Sequence, residues 1–425
     1  MNMLEISKNA RDASLLLASL ESRIKNEALL CIANDLNAKR DEITRANQED
    51  LKRSEKENLP FPLLKRLKFD DAKISAVIDG INSLIKLQDP IGKILLSTEL
   101  DSGLELYKVS CPIGVTGIIF ESRPDALVQI STLCLKSGNS VILKGGSEAL
   151  ETNRILTKII RNATAKLDIP ASWIQLLETR ADVNEMLKMD DYIDLIIPRG
   201  SNEFVKYIMD NSRIPVLGHA DGICHCYVDE EADLDMAIKV VVDSKTQYVA
   251  VCNAAETLLV HESIAKEYLP VLKEAMDKRG VVLKGCDKTK NIIQVESAEQ
   301  GTWKTEYLDY KMSVKIVLDL REAISHINEY GSGHTDSIIT RNAEKAEKFM
   351  ERVDSANVFW NCSTRFSDGY RYGFGAEVGI STNKIHARGP VGLDGLMIYK
   401  FKLIGNGHIV EDYENKTKTF KHKSI

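Results

Sequence analysis

The stretch Val115-Thr-Gly-Ile-Ile-Phe-Glu-Ser-Arg-Pro-Asp-Ala-Leu-Val-Gln-Ile-Ser-Thr-Leu-Cys-Leu-Lys-Ser-Gly-Asn-Ser-Val-Ile-Leu-Lys-Gly-Gly-Ser-Glu-Ala149 decides the fold. It opens on a short β-rich run, Val115–Phe120, and closes on another, Val141–Leu143, with an amphipathic segment between them. Two such runs joined by a helical stretch predict parallel strands with a crossover helix. The alternation continues through Ile174–Leu177, Leu195–Ile197 and Val216–Gly218, which predicts a doubly wound α/β sheet.

Upstream, residues 1 to about 88 read as helices. Ile24, Ala28 and Ile32 recur beside Leu29, Ala33 and Leu36 as an apolar stripe, broken by polar turns at Ser54–Pro62 and Asp89–Gly92. Downstream of Gly222 a second series begins. Strand-like Cys224–Val228, Thr257–Val260, Val281–Leu283, Val314–Leu318, Ser337–Thr340 and Val358–Trp360 alternate with helical Leu234–Val242, Ile264–Lys278 and Ala343–Val353, which predicts a second α/β domain. Leu104–Val109, between Asp101-Ser102-Gly103 and Pro112, reads as part of a hairpin interrupting the first domain, and Ile404–His422 is polar with little periodicity.

Bulk properties narrow the function. A chain of 425 residues exceeds one hydrophobic core, and 44% apolar with 28% charged residues is ordinary globular composition. A formal charge of -6 argues against a general nucleic-acid binder while leaving room for a local basic pocket. Glu5 and Asp12 precede the short cluster Leu15–Leu17, so no secretory signal is expected. The longest uncharged run, Val109–Phe120, has 12 residues with Pro112, Gly114 and Gly117 inside it, too short and too broken to span a bilayer. A soluble cytoplasmic protein is expected, with no membrane or nucleic-acid partner.

The eight cysteines (31, 111, 134, 224, 226, 252, 286, 362) mostly sit in apolar segments and read as reduced thiols. Cys224 and Cys226, with His219 and His225 nearby, invite a metal reading. A C-x-C in a strand points both sulfurs to one face, with no second ligand pair at zinc spacing, so no metal is expected. Cys252, in Gln247-Tyr-Val-Ala-Val-Cys252-Asn-Ala-Ala-Glu256-Thr, lies in a connecting segment where a side chain can meet a cleft, although a cysteine so placed is more often inert. Two loops suit a nucleotide phosphate: Leu143-Lys144-Gly145-Gly146-Ser147 and Pro198-Arg199-Gly200-Ser201-Asn202 each follow a strand and open a helix. Neither is a G-x-G-x-x-G or Walker pattern, and each has an ordinary strand–helix turn as its alternative.

Longer blocks decide among these readings. Pro112-Ile-Gly-Val-Thr-Gly-Ile-Ile-Phe-Glu-Ser-Arg-Pro124, Leu135-Lys-Ser-Gly-Asn-Ser-Val-Ile-Leu-Lys-Gly-Gly-Ser-Glu-Ala149, Val216-Leu-Gly-His-Ala-Asp-Gly222, Cys252-Asn-Ala-Ala-Glu-Thr257, Gly331-Ser-Gly-His-Thr-Asp336 and Ile385-His-Ala-Arg-Gly-Pro-Val-Gly392 stand in the order found in γ-glutamyl phosphate reductases. The chain resembles that family over roughly residues 10 to 410. Asp125-Ala-Leu-Val-Gln-Ile130 is similar to the C-terminal half of bifunctional pyrroline-5-carboxylate synthases, without room for their kinase half. Gln247, Val249 and Val251 depart from the pattern, where Asp, Pro and Ala are usual, and Tyr370-Arg371-Tyr372 is bulkier than expected before Gly373.

The resemblance implies an aldehyde-dehydrogenase-like fold: an NADP(H)-binding domain from residues 1–97 and 114–222, a thiol domain over 223–380, and an oligomerisation hairpin and tail from 98–113 and 381–425. It implies NADPH-dependent reduction of glutamyl 5-phosphate to glutamate 5-semialdehyde, the second step of proline synthesis. Cys252 is the nucleophile, with Asn253 and Arg123 beside it. NADPH lies along Lys144, Gly145, Gly146, Ser147, Gly200 and Ser201, while His386 and Arg388 bind substrate or tie down a loop. Three differences from aldehyde dehydrogenases inform this: Val216-Leu-Gly-His219 lacks their Glu base, Arg123 replaces an oxyanion Asn, and Ser147 replaces the ribose-binding Glu, with Glu148 adjacent. His334 and Asp336 divide between substrate and structural roles, and Glu256 reads as a structural partner. A homo-oligomer and a glutamate 5-kinase are the expected partners. An oxidising aldehyde dehydrogenase and a nucleotide-binding scaffold without catalysis are the alternatives.

Overall fold

Val115–Phe120 stands at the centre of a four-stranded parallel sheet in the order Ile174–Leu177, Ser140–Lys144, Val115–Phe120, Leu195–Arg199. The computed structural model describes residues 2–218 and 221–425, with only the backbone at Pro62 and Arg180. All of Val115–Phe120 is buried, as an inner parallel strand covered on both faces requires. The expected strand at Val216–Gly218 is reduced to one bridge, Ile196 to Val216, because the chain leaves the sheet there for the second domain.

The helix Pro124–Ser137 follows the central strand with Pro124 at its first position, where a missing N–H costs nothing. It ends at Gly138, whose φ of 75° closes the last turn. The stripe on Ser22–Ala38 packs into the same core as Asp71–Lys86 and Pro124–Ser137, with Ala28, Leu29, Ile32, Ala33 and Leu36 all buried. The turn expected from Ser54 is instead the last part of the helix Arg40–Lys56. Its inward face is Ile43, Asn47, Asp50 and Ser54, so three of four buried positions are polar and the stripe is invisible in a hydrophobicity pattern.

A second sheet has seven parallel strands in the order Glu296–Ser297, Val282–Gly285, Lys311–Val317, Ala255–His261, Cys224–Val228, Thr335–Ile339, Asn357–Trp360. Leu234–Thr246 and Ala265–Asp277 cover one face, and Leu320–Tyr330 and Ala343–Arg352 the other. A third, antiparallel sheet pairs Ile94–Asp101 with Leu104–Pro112. The C-terminal segment contributes two strands to it: Met397–Ile404 pairs along Leu104–Pro112, and Lys423–Ser424 along Ile94–Asp101. Before reaching that sheet the chain returns to the first core, where Val378, Val391, Leu393 and Leu396 are buried. No helix among the described residues is long and apolar enough to cross a membrane.

Gly138 is the joint between these parts. A Cβ there would lie 2.7 Å from Ile91 Cδ1, 3.0 Å from Pro112 Cγ and 3.2 Å from the Leu17 carbonyl. Gly138→Ala, strained by φ and by contact, is expected to lower stability by about 1–3 kcal/mol in urea unfolding; an unchanged midpoint would count against this joint.

Candidate active site

Cys252 lies between the helix Leu234–Thr246 and the strand Ala255–His261, at the amino end of the second sheet, and is partly exposed. The backbone of Gly222 runs directly against it. A Cβ on Gly222 would meet Cys252 O at 2.3 Å, Cα at 2.4 Å and Cβ at 2.6 Å, so only glycine fits. Behind the loop, Cys224 Sγ donates to the Cys252 carbonyl at 3.2 Å.

Asn253 fastens a second loop to the first: its Nδ2 donates to the Ser367 carbonyl at 2.7 Å, and its own carbonyl accepts from Thr364 Oγ1 at 2.7 Å. Asn253 Oδ1 is buried with no partner among the described residues. Neither its amide N–H nor that of Cys252 has a backbone acceptor among the described residues, which leaves two donors available next to the sulfur-bearing residue.

Buried charges brace this loop from beneath. Lys245 Nζ donates to Glu256 Oε2 at 2.6 Å with both side chains fully buried, and Leu308 N donates to Glu256 Oε1 at 3.3 Å. Burial pushes the Glu256 carboxyl up to about 7 against the opposing pull of Lys245. His334 and Asp336 lie in this same buried layer. Asp336 accepts from His225 N at 2.7 Å and from His225 Nδ1 at 2.9 Å, and His334 Nδ1 sits 2.8 Å from Thr335 Oγ1. The thiols of Cys224 and Cys226 are also buried, which raises both far from reactivity.

Cations approach from the first domain. Ser122, with φ 47°, bends the chain after the central strand, and Glu148 Oε1 holds the bend by accepting from Ser122 N at 2.6 Å and Ser122 Oγ at 2.8 Å. Arg123 follows at the N-cap of Pro124–Ser137. Arg199, at the end of the neighbouring strand, pairs in register with Phe120. Burial pulls the Arg199 guanidinium down, Arg123 adds to this, and the charges of Glu377, Asp125 and Cys252 oppose it. Two guanidiniums and the thiol therefore share one electrostatic neighbourhood. In the sequence Arg199 stands out only as part of a loop; its signal is a cation ending the strand next to the one that leads to Arg123.

Arg388 and His386 are engaged otherwise. Arg388 Nη1 donates to Asp354 Oδ1 at 3.0 Å and its Nη2 to the Asp354 carbonyl at 2.9 Å. His386, exposed, has Nε2 2.9 Å from the Gly395 carbonyl. Both side chains tie the 384–395 segment to its surroundings.

The two glycine loops face each other across a cavity of about 750 Å³, with Lys144, Gly146 and Ser147 on one side and Ser201, Phe204 and Tyr207 on the other. Gly145 and Gly200 lie just behind, where Cβ atoms would press on Asn153 Nδ2 at 2.1 Å and Glu121 Oε2 at 3.1 Å. The loops differ in one respect that the sequence did not reveal. The start of the helix Leu150–Ala165 is taken by Asp50, which accepts from Glu151 N at 3.2 Å and Thr152 N at 2.8 Å. The helix Asn202–Asn211 has no side-chain cap, so its first amides remain open to an anion. At the position of the expected base, Val216 carries no carboxylate; His219 lies outside the described residues.

A partly exposed thiol on one parallel α/β sheet, a dinucleotide-sized cavity between two glycine loops on another, and an antiparallel flap define a class. Residues 3–308 match the model of the aldehyde dehydrogenase family, and the chain belongs to it. Within that family it belongs to the γ-glutamyl phosphate reductases. It is 72% identical over 425 residues to the γ-glutamyl phosphate reductase of Acetivibrio thermocellus, covering 100% of this chain and 99% of that one. The reductase of Pelotomaculum thermopropionicum is 71% identical over 100% of this chain and 98% of its own. The crystal structure of the γ-glutamyl phosphate reductase of Thermotoga maritima aligns with a TM-score of 0.94 at 43% identity, over 96% of this chain and 100% of that chain. The family implies a nicotinamide cofactor, and the cavity between the glycine loops has the size and the open helix start to take one.

The Lys245–Glu256 pair yields a stability test. Lys245→Met leaves a buried carboxylate uncompensated and is expected to cost about 3–5 kcal/mol in chemical denaturation. Adding Glu256→Leu should recover most of that loss. A double variant as unstable as the single one would show that the pair does not act as a unit.

Proposed function

We propose that this chain reduces γ-glutamyl phosphate to glutamate 5-semialdehyde with NADPH through a thioester on Cys252, in the cytoplasm, as the second step of proline synthesis. The observation that carries this reading is Cys252, pressed forward by the close approach of Gly222 and lying in the field of Arg199, which Arg123 shares.

The Cys252 thiolate attacks the acyl carbon, and the bond from that carbon to the phosphate oxygen breaks. Inorganic phosphate leaves with the electron pair, held by Arg123 and Arg199. A nicotinamide, when bound, supplies a hydride to the acyl carbon. The amides of Cys252 and Asn253 hold the thiohemiacetal oxyanion, which collapses to the aldehyde and returns the thiolate. Val216 provides no carboxylate to activate water, so the thioester survives until reduction. Lys144, Gly145, Gly146, Ser147, Gly200 and Ser201 would hold the dinucleotide, its phosphates at the open start of Asn202–Asn211. Glu148 is occupied with Ser122, and Ser147 adds no charge, which supports room for a 2′-phosphate.

The antiparallel sheet supports assembly with a second copy of the chain. Its edge strand, Met397–Ile404, is exposed on both faces, with Ile398, Tyr399, Phe401 and Leu403 all open, and nearby Ile94, Leu95 and Leu96 extend the patch. The division into residues 1–97 with 114–222, 223–380, and 98–113 with 381–425 remains our working assignment, with 376–396 packing partly on the first core.

Cys252→Ala should abolish phosphate-dependent reduction of NADP⁺ by glutamate 5-semialdehyde while leaving NADPH binding intact by fluorescence; near-normal turnover ends the proposal. Phosphate-independent turnover in the unaltered chain would favour an oxidising dehydrogenase instead. Ser147→Glu places a second carboxylate where the 2′-phosphate is proposed to lie. It should lower kcat/KM for NADPH relative to NADH by about tenfold or more, and an unchanged ratio would remove Ser147 from cofactor choice.

A further inference from the structure

Arg365 has no role in the mechanism above, yet its setting is unusual for a cation. It lies in the short turn Thr364–Phe366 and is only 9% exposed. Its Nε donates to the neutral Gln247 Oε1 at 2.9 Å, its sole side-chain partner among the described residues. Among the described residues no carboxylate comes within ion-pair distance of it. Asp368 is engaged with Arg371 and with the Tyr370 N–H at 3.0 Å. The two terminal nitrogens of the Arg365 fork therefore meet no acceptor among the described residues.

The turn is locked both to the nucleophile loop and to the helix Leu234–Thr246 before it. Thr364 Oγ1 donates to the Asn253 carbonyl at 2.7 Å, Asn253 Nδ2 to the Ser367 carbonyl at 2.7 Å, and Thr364 N to Ser244 Oγ at 3.2 Å. Gln247 and Asn253 bracket Cys252 in sequence, and both hold this turn. Arg371 Nη1 donates to the Arg365 carbonyl at 2.5 Å, closing the turn from its far side.

Burial pulls the Arg365 guanidinium down and the charge of Arg371 adds to this, while the charges of Cys252, Asp368 and Asp243 oppose it. A guanidinium nevertheless stays charged in water and protein. Holding it buried beside a neutral amide costs stability that an arriving anion would offset. Its planar fork matches the two oxygens of a carboxylate or phosphoryl group.

We propose that Arg365 is a catalytic-site residue that binds an oxyanion group of the substrate, facing Arg123 and Arg199 across Cys252. This rests on the reading of the substrate as γ-glutamyl phosphate, which carries anionic oxygens at both ends, an α-carboxylate and a phosphoryl group. With Arg123 and Arg199 on the first domain and Arg365 on the thiol domain, the acyl carbon is held between two cationic walls.

The experiment is the reverse reaction, with glutamate 5-semialdehyde, NADP⁺ and inorganic phosphate each varied in turn, on the full chain and on Arg365→Gln and Arg365→Lys. No phosphate-dependent turnover in the unaltered chain would sink the underlying reading. With that turnover present, Arg365→Gln should raise KM for one of the two anionic reactants by about 10–100-fold, leaving KM for NADP⁺ unchanged. A rise confined to phosphate assigns the fork to the phosphoryl group, and one confined to the semialdehyde assigns it to the α-carboxylate. Arg365→Lys keeps the charge but not the fork and should show a smaller rise in the same constant, which also serves if Arg365→Gln does not fold. If kcat alone falls, or both constants stay within twofold in whichever variants fold, Arg365 is only a fastening of the turn and the proposal is wrong.

Discussion

The approach of Gly222 to Cys252 is the constraint on which the rest depends. With a prospective Cβ only 2.3–2.6 Å from three atoms of Cys252, the segment leaving the first sheet and the loop entering the second are in direct backbone contact. Contacts close by keep the approach in place: Ile223 N donates to Ser332 Oγ at 2.8 Å, and Asn202 Nδ2 donates to Glu306 Oε2 at 2.8 Å from one domain to the other. The thiol is thus set by the meeting of two sheets and not by its own loop alone. Carboxyl ends of the first sheet's strands meet the amino ends of Cys224–Val228 and Ala255–His261 there, so loops from both domains come together at the thiol.

Rigidity at that junction comes from an unusual density of buried polar groups. Lys245, Glu256, His225, His334 and Asp336 are all fully buried within the second sheet and its first helix. Each such group is costly unless satisfied, and here the pairs Lys245–Glu256 and His225–Asp336 supply one another's partners. His225 Nε2 and His326 Nε2 have no hydrogen-bond partner among the described residues, and their rings meet edge-on 5.7 Å apart. Because these contacts are directional, they fix the strands Cys224–Val228 and Ala255–His261 in one register beneath the thiol in a way that an apolar layer would not.

The strand and helix alternation was legible in the sequence because inner parallel strands are nearly continuous apolar runs, and the order of elements followed from it. What was not legible has specific causes. The helix Arg40–Lys56 hides its inward face behind Asn47, Asp50 and Ser54, which then hold other elements: Asn47 Oδ1 accepts from Phe69 N at 2.7 Å, and Asp50 caps the helix after the glycine loop. Met397–Ile404, expected only as part of the 381–425 tail, is an edge strand open on both faces. Tyr370-Arg371-Tyr372 had no account in the sequence, and the structure provides one: Tyr372 Oη donates to Asn357 Oδ1 at 2.8 Å between Phe359 and Phe374, while Arg371 closes the turn of Arg365. Among the site residues, Cys252, Arg123 and the glycine loops could be singled out by type and position. Arg199 and Arg365 could not, since their meaning comes from which loops meet at the junction.

The distribution of charge explains how a chain of net charge -6 can accept a substrate with two anionic ends. Several carboxylates near the site are already committed: Glu148 to Ser122, Glu256 to Lys245, Glu377 to the Gly369 N–H at 2.9 Å, and Asp336 to His225, while Asp125 adds its charge near Arg199. The arginines nearest the thiol lack such commitments, since among the described residues Arg123, Arg199 and Arg365 form no ion pair. Coulomb attraction between a guanidinium and a phosphoryl oxygen is several times stronger in a partly buried cleft than in water. The surplus of acidic groups over the whole surface therefore acts weakly at the site, being distant and screened, while three uncommitted cations act at close range. On the proposed reading, an anionic leaving group gains contacts here that an uncharged hydrogen on the same carbon would not.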